Sequence, residues 1–228
     1  MNTIKRLIKG NEKFKKEYFP YFEKDLKESV QLGQRPEVLF IGCSDSRVTP
    51  ELMLDTQPGD MFILRNVGNF VPPYKQDEDF HGSAAAIEFA VSVLNVKNII
   101  ICGHSHCGAC KALYDDISDD PKMVHVKVWL KLGEEAKQRT LKSQKFTTLE
   151  EKYRATERNS IRNQLENLLT YPEVKKRFDN GEVLIHGWYY DIETGNIDFY
   201  DKNEDNFKPL KEFIIWVKQK LERYLKEV

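Results

Sequence analysis

Two short segments, Cys43-Ser44-Asp45-Ser46-Arg47 and His104-Ser105-His106-Cys107, each follow an apolar run that reads as a β-strand. The runs are Val38-Leu39-Phe40-Ile41 and Ile99-Ile100-Ile101. Two parallel strands ending side by side bring Cys43, His104 and Cys107 to one point above the sheet edge, where α/β folds bind ligands. Two thiolates and one imidazole suit a tetrahedral zinc ion. They leave its fourth position open, which separates catalytic from structural zinc.

Each residue also has a plainer reading. A buried cysteine at a strand end is commonly just a small hydrophobe. An acid and an arginine two residues apart, as in Asp45 and Arg47, mean little on an open surface, but much at the C-terminal edge of a strand. Cys107-Gly108-Ala109-Cys110 is a C-x-x-C motif, readable as a dithiol redox pair or as a third thiolate on the metal. A set made of His104, Cys107 and Cys110 leaves Cys43 unexplained. Cys102 lies within the apolar strand and reads as core. His106, between two candidate ligands, should point away from them, in a surface or supporting role. His81, His125 and His186 have no comparable partners and read as structural.

The elements that must position these residues alternate. Strands are expected at 37–42, 61–66, 98–102 and 182–189, with a serine-capped amphipathic helix from Ser83 to Leu94. Near-continuous apolar strands separated by helices indicate an α/β fold, a mainly parallel central sheet covered on both faces. Residues 3–18 carry Ile4, Leu7, Ile8 and Phe14 at helical spacing, a candidate N-terminal dimerisation arm. From about 122 to 180 the pattern is almost wholly helical, with one long helix over 149–170 stopping near Tyr171-Pro172. Val183–Tyr190 and Ile197–Tyr200 flank Glu193-Thr194-Gly195-Asn196, a C-terminal hairpin signal. A last helix is expected from Leu210 to Tyr224.

The 228 residues read as a single domain, 1–228, with an arm at 1–30, a zinc-site core at 35–110, a helical region at 120–180, and the hairpin and last helix at 181–228. A net charge of −1 gives no support for a nucleic-acid or anionic-membrane partner. The first residues have no apolar core of signal-peptide length, and no stretch approaches a membrane span. The four cysteines then argue for reduced thiols and a cytoplasmic protein.

The paired C-x-D-x-R and H-x-x-C motifs resemble the β-class carbonic anhydrases. The resemblance extends through Gln57-Pro58-Gly59-Asp60, Arg65-Asn66-Val67-Gly68-Asn69, Val71-Pro72-Pro73-Tyr74 and Ala86–Val91. It continues through Asn167–Pro172 and Gly187-Trp188-Tyr189-Tyr190-Asp191, nearly the whole chain in order. It implies zinc ligands at Cys43, His104 and Cys107, and a catalytic dyad of Asp45 and Arg47, with Asp45 able to become the fourth ligand in a closed form. It implies a CO₂ pocket at Gln34, Phe62, Val67, Phe89 and Gly108, with Gln34 and Phe89 contributed by a neighbouring subunit, hence a homo-oligomer (dimer or dimer of dimers). The implied reaction is reversible hydration of CO₂ to bicarbonate and a proton by attack of zinc-bound hydroxide.

The alternatives are a related zinc hydrolase acting on CS₂ or COS, and a non-enzymatic zinc-stabilised module. The module would need a closed four-ligand site and would have no use for Arg47. Two positions depart from the family pattern. Phe40 stands where bicarbonate-inhibited members carry Trp, so an open resting site with weak bicarbonate inhibition is expected. Cys110 adds a thiol that many members lack.

Overall fold

The computed structural model describes residues 2–77, 79–115, 121–143 and 146–214. Its organising feature is a six-stranded sheet in the order β2-β1-β3-β4-β5-β6. These strands are β1 Val38–Cys43, β2 Met61–Asn66, β3 Asn98–His104, β4 Leu184–Tyr190, β5 Ile197–Asp201 and β6 Asn206–Pro209. The first four run parallel. β5 and β6 turn back antiparallel.

Side chains of a strand alternate between faces, and the core divides accordingly. Leu39, Ile41, Ile99 and Ile101 pack on one face with Ile87, Ala90, Val91, Leu168, Tyr171 and Val174. These come from α4 (Gly82–Glu88) with its π-helical continuation Phe89–Val93, from α8 (Leu149–Leu168), and from α9 (Pro172–Asp179) with the turn before it. The other face gathers Phe40, Ile100 and Cys102 against Met53 and Leu54 of α3 (Pro50–Leu54) and Trp188 and Tyr190 of β4. Edge strand β2 is only partly buried, with Phe62 and Leu64 on the first face and Met61 and Ile63 on the second.

The expected strands and hairpin are present, with informative differences. β3 runs on to His104 because its pairing with β4 continues through Gly103↔Tyr189 and His104↔Tyr190. The residue at the N-cap of α4 is His81, not Ser83, and it makes no side-chain cap bond. Ser83 Oγ instead accepts from Asn66 Nδ2 at 3.2 Å.

The helical middle comprises α5 (Gly108–Ala112), α6 (Val124–Leu130), α7 (Glu134–Ser143), α8 and α9. Thr148 and Glu151 close a capping box at the start of α8. The arm extends beyond 18, as α1 (Thr3–Lys13), a π-helical turn and α2 (Phe19–Leu32), with no buried residue in any of the three. Leu210–Glu212 is a 3-10 turn; from 215 onward the expected last helix lies outside the described residues. No helix among the described residues is long and apolar enough to cross a membrane.

Candidate metal centre and its surroundings

Cys43 ends β1 and His104 ends β3, and these strands are paired through Gly42↔Cys102. The chain then turns through Ser105 and His106 and enters α5, with Cys107 as its N-cap. His106 holds a left-handed φ of 58°, sparsely populated for a residue with a side chain. This tight turn points Cys107 back toward the strand ends. The ligand atoms of Cys43, His104 and Cys107 all lie within 4.8 Å of one another, and all three residues are buried.

The donor set fits a metal. His104 Nδ1 lies 2.8 Å from the Ser105 carbonyl, which can only accept, so Nδ1 carries the proton. The Nε2 lone pair is left buried with no protein partner, a costly state that a metal bond relieves. Backbone N–H groups of Asp45 and Gly68 each donate to Cys43 Sγ at 3.4 Å. Gly68, at φ +80°, is required there, because a Cβ would stand 2.8 Å from that of Ala109. Contact with the Cys107 thiol, and burial, push the Cys43 thiol up to about 12. Cys107 is also raised, first by its neighbour Cys110. A bound cation reverses that balance, since a coordinating thiol is deprotonated. Cys110 is buried beside Cys107 but outside the three-residue cluster, and Cys102 is core.

Beside the cluster, Arg47 grips Asp45 with both prongs, Nε to Oδ1 at 2.9 Å and Nη2 to Oδ2 at 2.8 Å. This charge-assisted fork holds the Asp45 carboxyl well below the usual range. The loop carrying Asp45 is fixed by Arg65, which donates to the carbonyls of Cys43 (2.9 Å) and Asp45 (2.8 Å). The His106 ring is partly buried between two carboxylates, 3.6 Å from an oxygen of Glu150 and 3.2 Å from one of Glu193.

The remaining pocket candidates separate into two groups. Val67 follows the residue paired with Cys43 and is 47% exposed. Gly108 opens α5, and a Cβ on it would meet nothing within 4 Å. Phe62 pairs with Leu39, four residues from the Asn66–Cys43 pair, about 13 Å along the strand. It therefore lies far from its own chain's Cys43, stacked on Phe89 at 5.8 Å between ring centroids. Gln34 is exposed and precedes β1 by four residues. Phe62 thus keeps company with Phe89, not with Val67.

Some neighbours escaped the sequence reading. His125, read as structural, lines a cavity of about 410 Å³ with Ser44, Asn66, Val67 and Trp129. Trp129 Nε1 donates to the Val67 carbonyl at 2.7 Å. Glu157 accepts the N–H of Cys107 at 2.9 Å. No local signal marks these residues, because α6 and α8 reach the site only through tertiary packing.

Comparison with known proteins agrees with this geometry. The family pattern for carbonic anhydrase matches residues 38–197. A carbonic anhydrase of Synechocystis is 41% identical over 198 residues, 87% of this chain and 71% of that protein. Among solved structures, the β-carbonic anhydrase CcaA superposes with a TM-score of 0.84 at 39% identity, covering 92% of each chain. A structure from a study of two tetrameric β-carbonic anhydrases of Sordaria macrospora gives 0.75 at 28% identity, covering 87% of this chain and 97% of that one. With this fold and these motifs together, the chain belongs to the carbonic anhydrase family and is one of its β-class enzymes.

Proposed function

We propose that this enzyme uses zinc, held by Cys43, His104 and Cys107, for reversible hydration of CO₂ to bicarbonate and a proton. The observation that carries this reading is the buried, partnerless Nε2 of His104 facing two free thiols. Zinc bound there would supply a Lewis acid that activates water, at a more alkaline pH than a three-histidine site because two thiolates offset its charge.

The chain's own residues orient the reaction. Asp45, kept ionised by Arg47, acts as an acceptor that aims a lone pair of the attacking oxygen at the substrate carbon. Arg47 keeps that carboxylate away from the ligand atoms. Val67 and the bare backbone of Gly108 border an apolar space for linear CO₂. Gln34, Phe62 and Phe89 complete that space from a second copy of the chain, making a dimer, or a dimer of dimers, the working unit. Phe40 is wholly buried against Ile100 and Cys102 and its ring offers no N–H, consistent with weak bicarbonate inhibition. Four free, buried cysteines suit a reducing compartment, and we assign the enzyme to the cytoplasm.

The test is stopped-flow CO₂ hydration with zinc content measured on the same sample, and CS₂ and COS offered as competing substrates. About one zinc per chain and CO₂ turnover are expected, and Cys43→Ala should lose most of both. A Cys43→Ala protein with full zinc and full activity refutes the assignment.

A further inference from the structure

Beneath the turn that carries Cys107 lies a carboxylate with no direct part in the reaction. Glu157, in the middle of α8, is 2% exposed. Its Oε1 accepts the backbone N–H of Cys107 at 2.9 Å and a proton of Arg154 Nη2 at 2.8 Å. Its Oε2 accepts the phenolic O–H of buried Tyr189, on β4, at 2.9 Å. One side chain thus joins the ligand turn, α8 and the central sheet.

Burial is expensive for a carboxylate and is only offset when every lone pair finds a donor. Mere packing between α8 and the sheet would be served as well by an apolar side chain. What an apolar side chain cannot do is hold the peptide that links His106 to Cys107. The N–H of that peptide goes to Glu157. Its carbonyl, that of His106, accepts from Arg47 Nη2 at 3.1 Å. The same peptide plane is therefore gripped from both sides, directly after the left-handed His106. A strained conformation of this kind persists only when its surroundings over-determine it.

We infer that Glu157 is a positioning residue of the metal centre. With Arg47 it clamps the His106–Cys107 peptide so that Cys107 Sγ stays aimed at Cys43 and His104. The inference rests on the reading of Cys43, His104 and Cys107 as the metal ligands. It adds that the orientation of the third ligand is held from α8, through the backbone, by a group that never touches the metal.

Two variants separate reach from charge. Glu157→Gln keeps the length: its amide oxygen accepts from Cys107 and its NH₂ donates to the Tyr189 oxygen. Glu157→Asp keeps the charge but is one methylene too short to reach the Cys107 N–H. Zinc affinity is read by chelator competition on the metal-free proteins, and the visible spectrum is recorded after cobalt(II) loading. Glu157→Asp should bind zinc about 10–100-fold more weakly, with an altered cobalt spectrum, the range seen when groups supporting metal ligands are removed. Glu157→Gln should stay close to wild type in both. Wild-type affinity and spectrum in Glu157→Asp, or a loss in Glu157→Gln equal to that in Glu157→Asp, overturns the clamp. A Cys43→Ala protein of unchanged zinc affinity would overturn the metal centre itself, and the clamp with it, so the two failures are distinguishable.

Discussion

At Gly108 the missing side chain is itself a structural fact, since a Cβ there would meet open space and not protein. Nothing in the chain's own packing demands glycine, and its φ is not left-handed. On the proposed function, the space belongs to the substrate. Gly108→Ala should therefore leave stability unchanged or slightly raised, by up to about 1 kcal/mol for a glycine removed from a helix. CO₂ hydration should fall in the same protein; thermal melts and stopped-flow assays on one preparation check this, and unchanged turnover would remove Gly108 from the pocket. Arg47 presents the opposite case, a side chain whose removal acts on a neighbour. Without its fork the Asp45 carboxyl loses its main cause of a lowered pKa and swings free toward Cys43 and His104. Arg47→Ala should lower kcat/KM roughly 10–100-fold, the loss expected for hydrogen bonds to a charged group. Hydration rates at pH 7 to 8.5 test it, and Arg47→Lys should recover only part, because a point charge cannot form the fork.

Among the elements, β1 and β3 could be read from the sequence because buried parallel strands are continuous apolar runs, and the motifs follow those runs directly. That was enough to bring Cys43, His104 and Cys107 together. What could not be read depends on partners distant in sequence. β6 is short and carries no alternation, and it forms because β5 offers it an edge. α2 carries Pro20 in its first turn, where proline is tolerated. In α8 the buried face holds Glu157, Asn159, Asn163 and Gln164, which look like a solvated surface until their tertiary partners are known. Gln164, for instance, accepts the Val71 N–H at 2.8 Å. His186 on β4 is a further example. It faces Asn98 at 3.1 Å and the Phe213 ring, and burial lowers its pKa from 6.5 to about 4. Between those values the unfolded chain binds the proton more readily than the folded one. This contribution to stability is therefore present above pH 6.5 and is lost as pH falls toward 4, up to about 3 kcal/mol. His186→Gln, which can still donate to Asn98, should flatten the fall of stability between pH 6.5 and 4 in urea unfolding. An unchanged pH slope would place the cause elsewhere.

At the scale of the whole molecule, the pocket proposed above draws on two copies of the chain. Its candidate metal ligands sit at the C-terminal ends of β1 and β3, while Phe62, with Phe89 against it, lies toward the N-terminal ends of the strands. The helical arm buries none of its own residues and leaves Ile4, Leu7 and Ile8 more than half exposed, an apolar stripe that a second copy would cover. A two-fold dimer would make each edge complete the other, and complementation tests this directly. A Cys43→Ala chain has intact lining residues and a broken metal set. A Gln34→Ala/Phe62→Ala chain has an intact metal set and broken lining residues. Each protein alone should be nearly inactive. If the pocket is shared, a mixed dimer contains one site with both halves intact, namely ligands from the second chain and lining from the first. Unfolding and refolding the two together in equal amounts makes half the dimers mixed, so about a quarter of wild-type activity should return. If each chain lined its own pocket, every mixed dimer would be as inactive as its parents. Activity that stays at the level of the two proteins kept apart, with mixed dimers verified by mass, would therefore defeat the shared site.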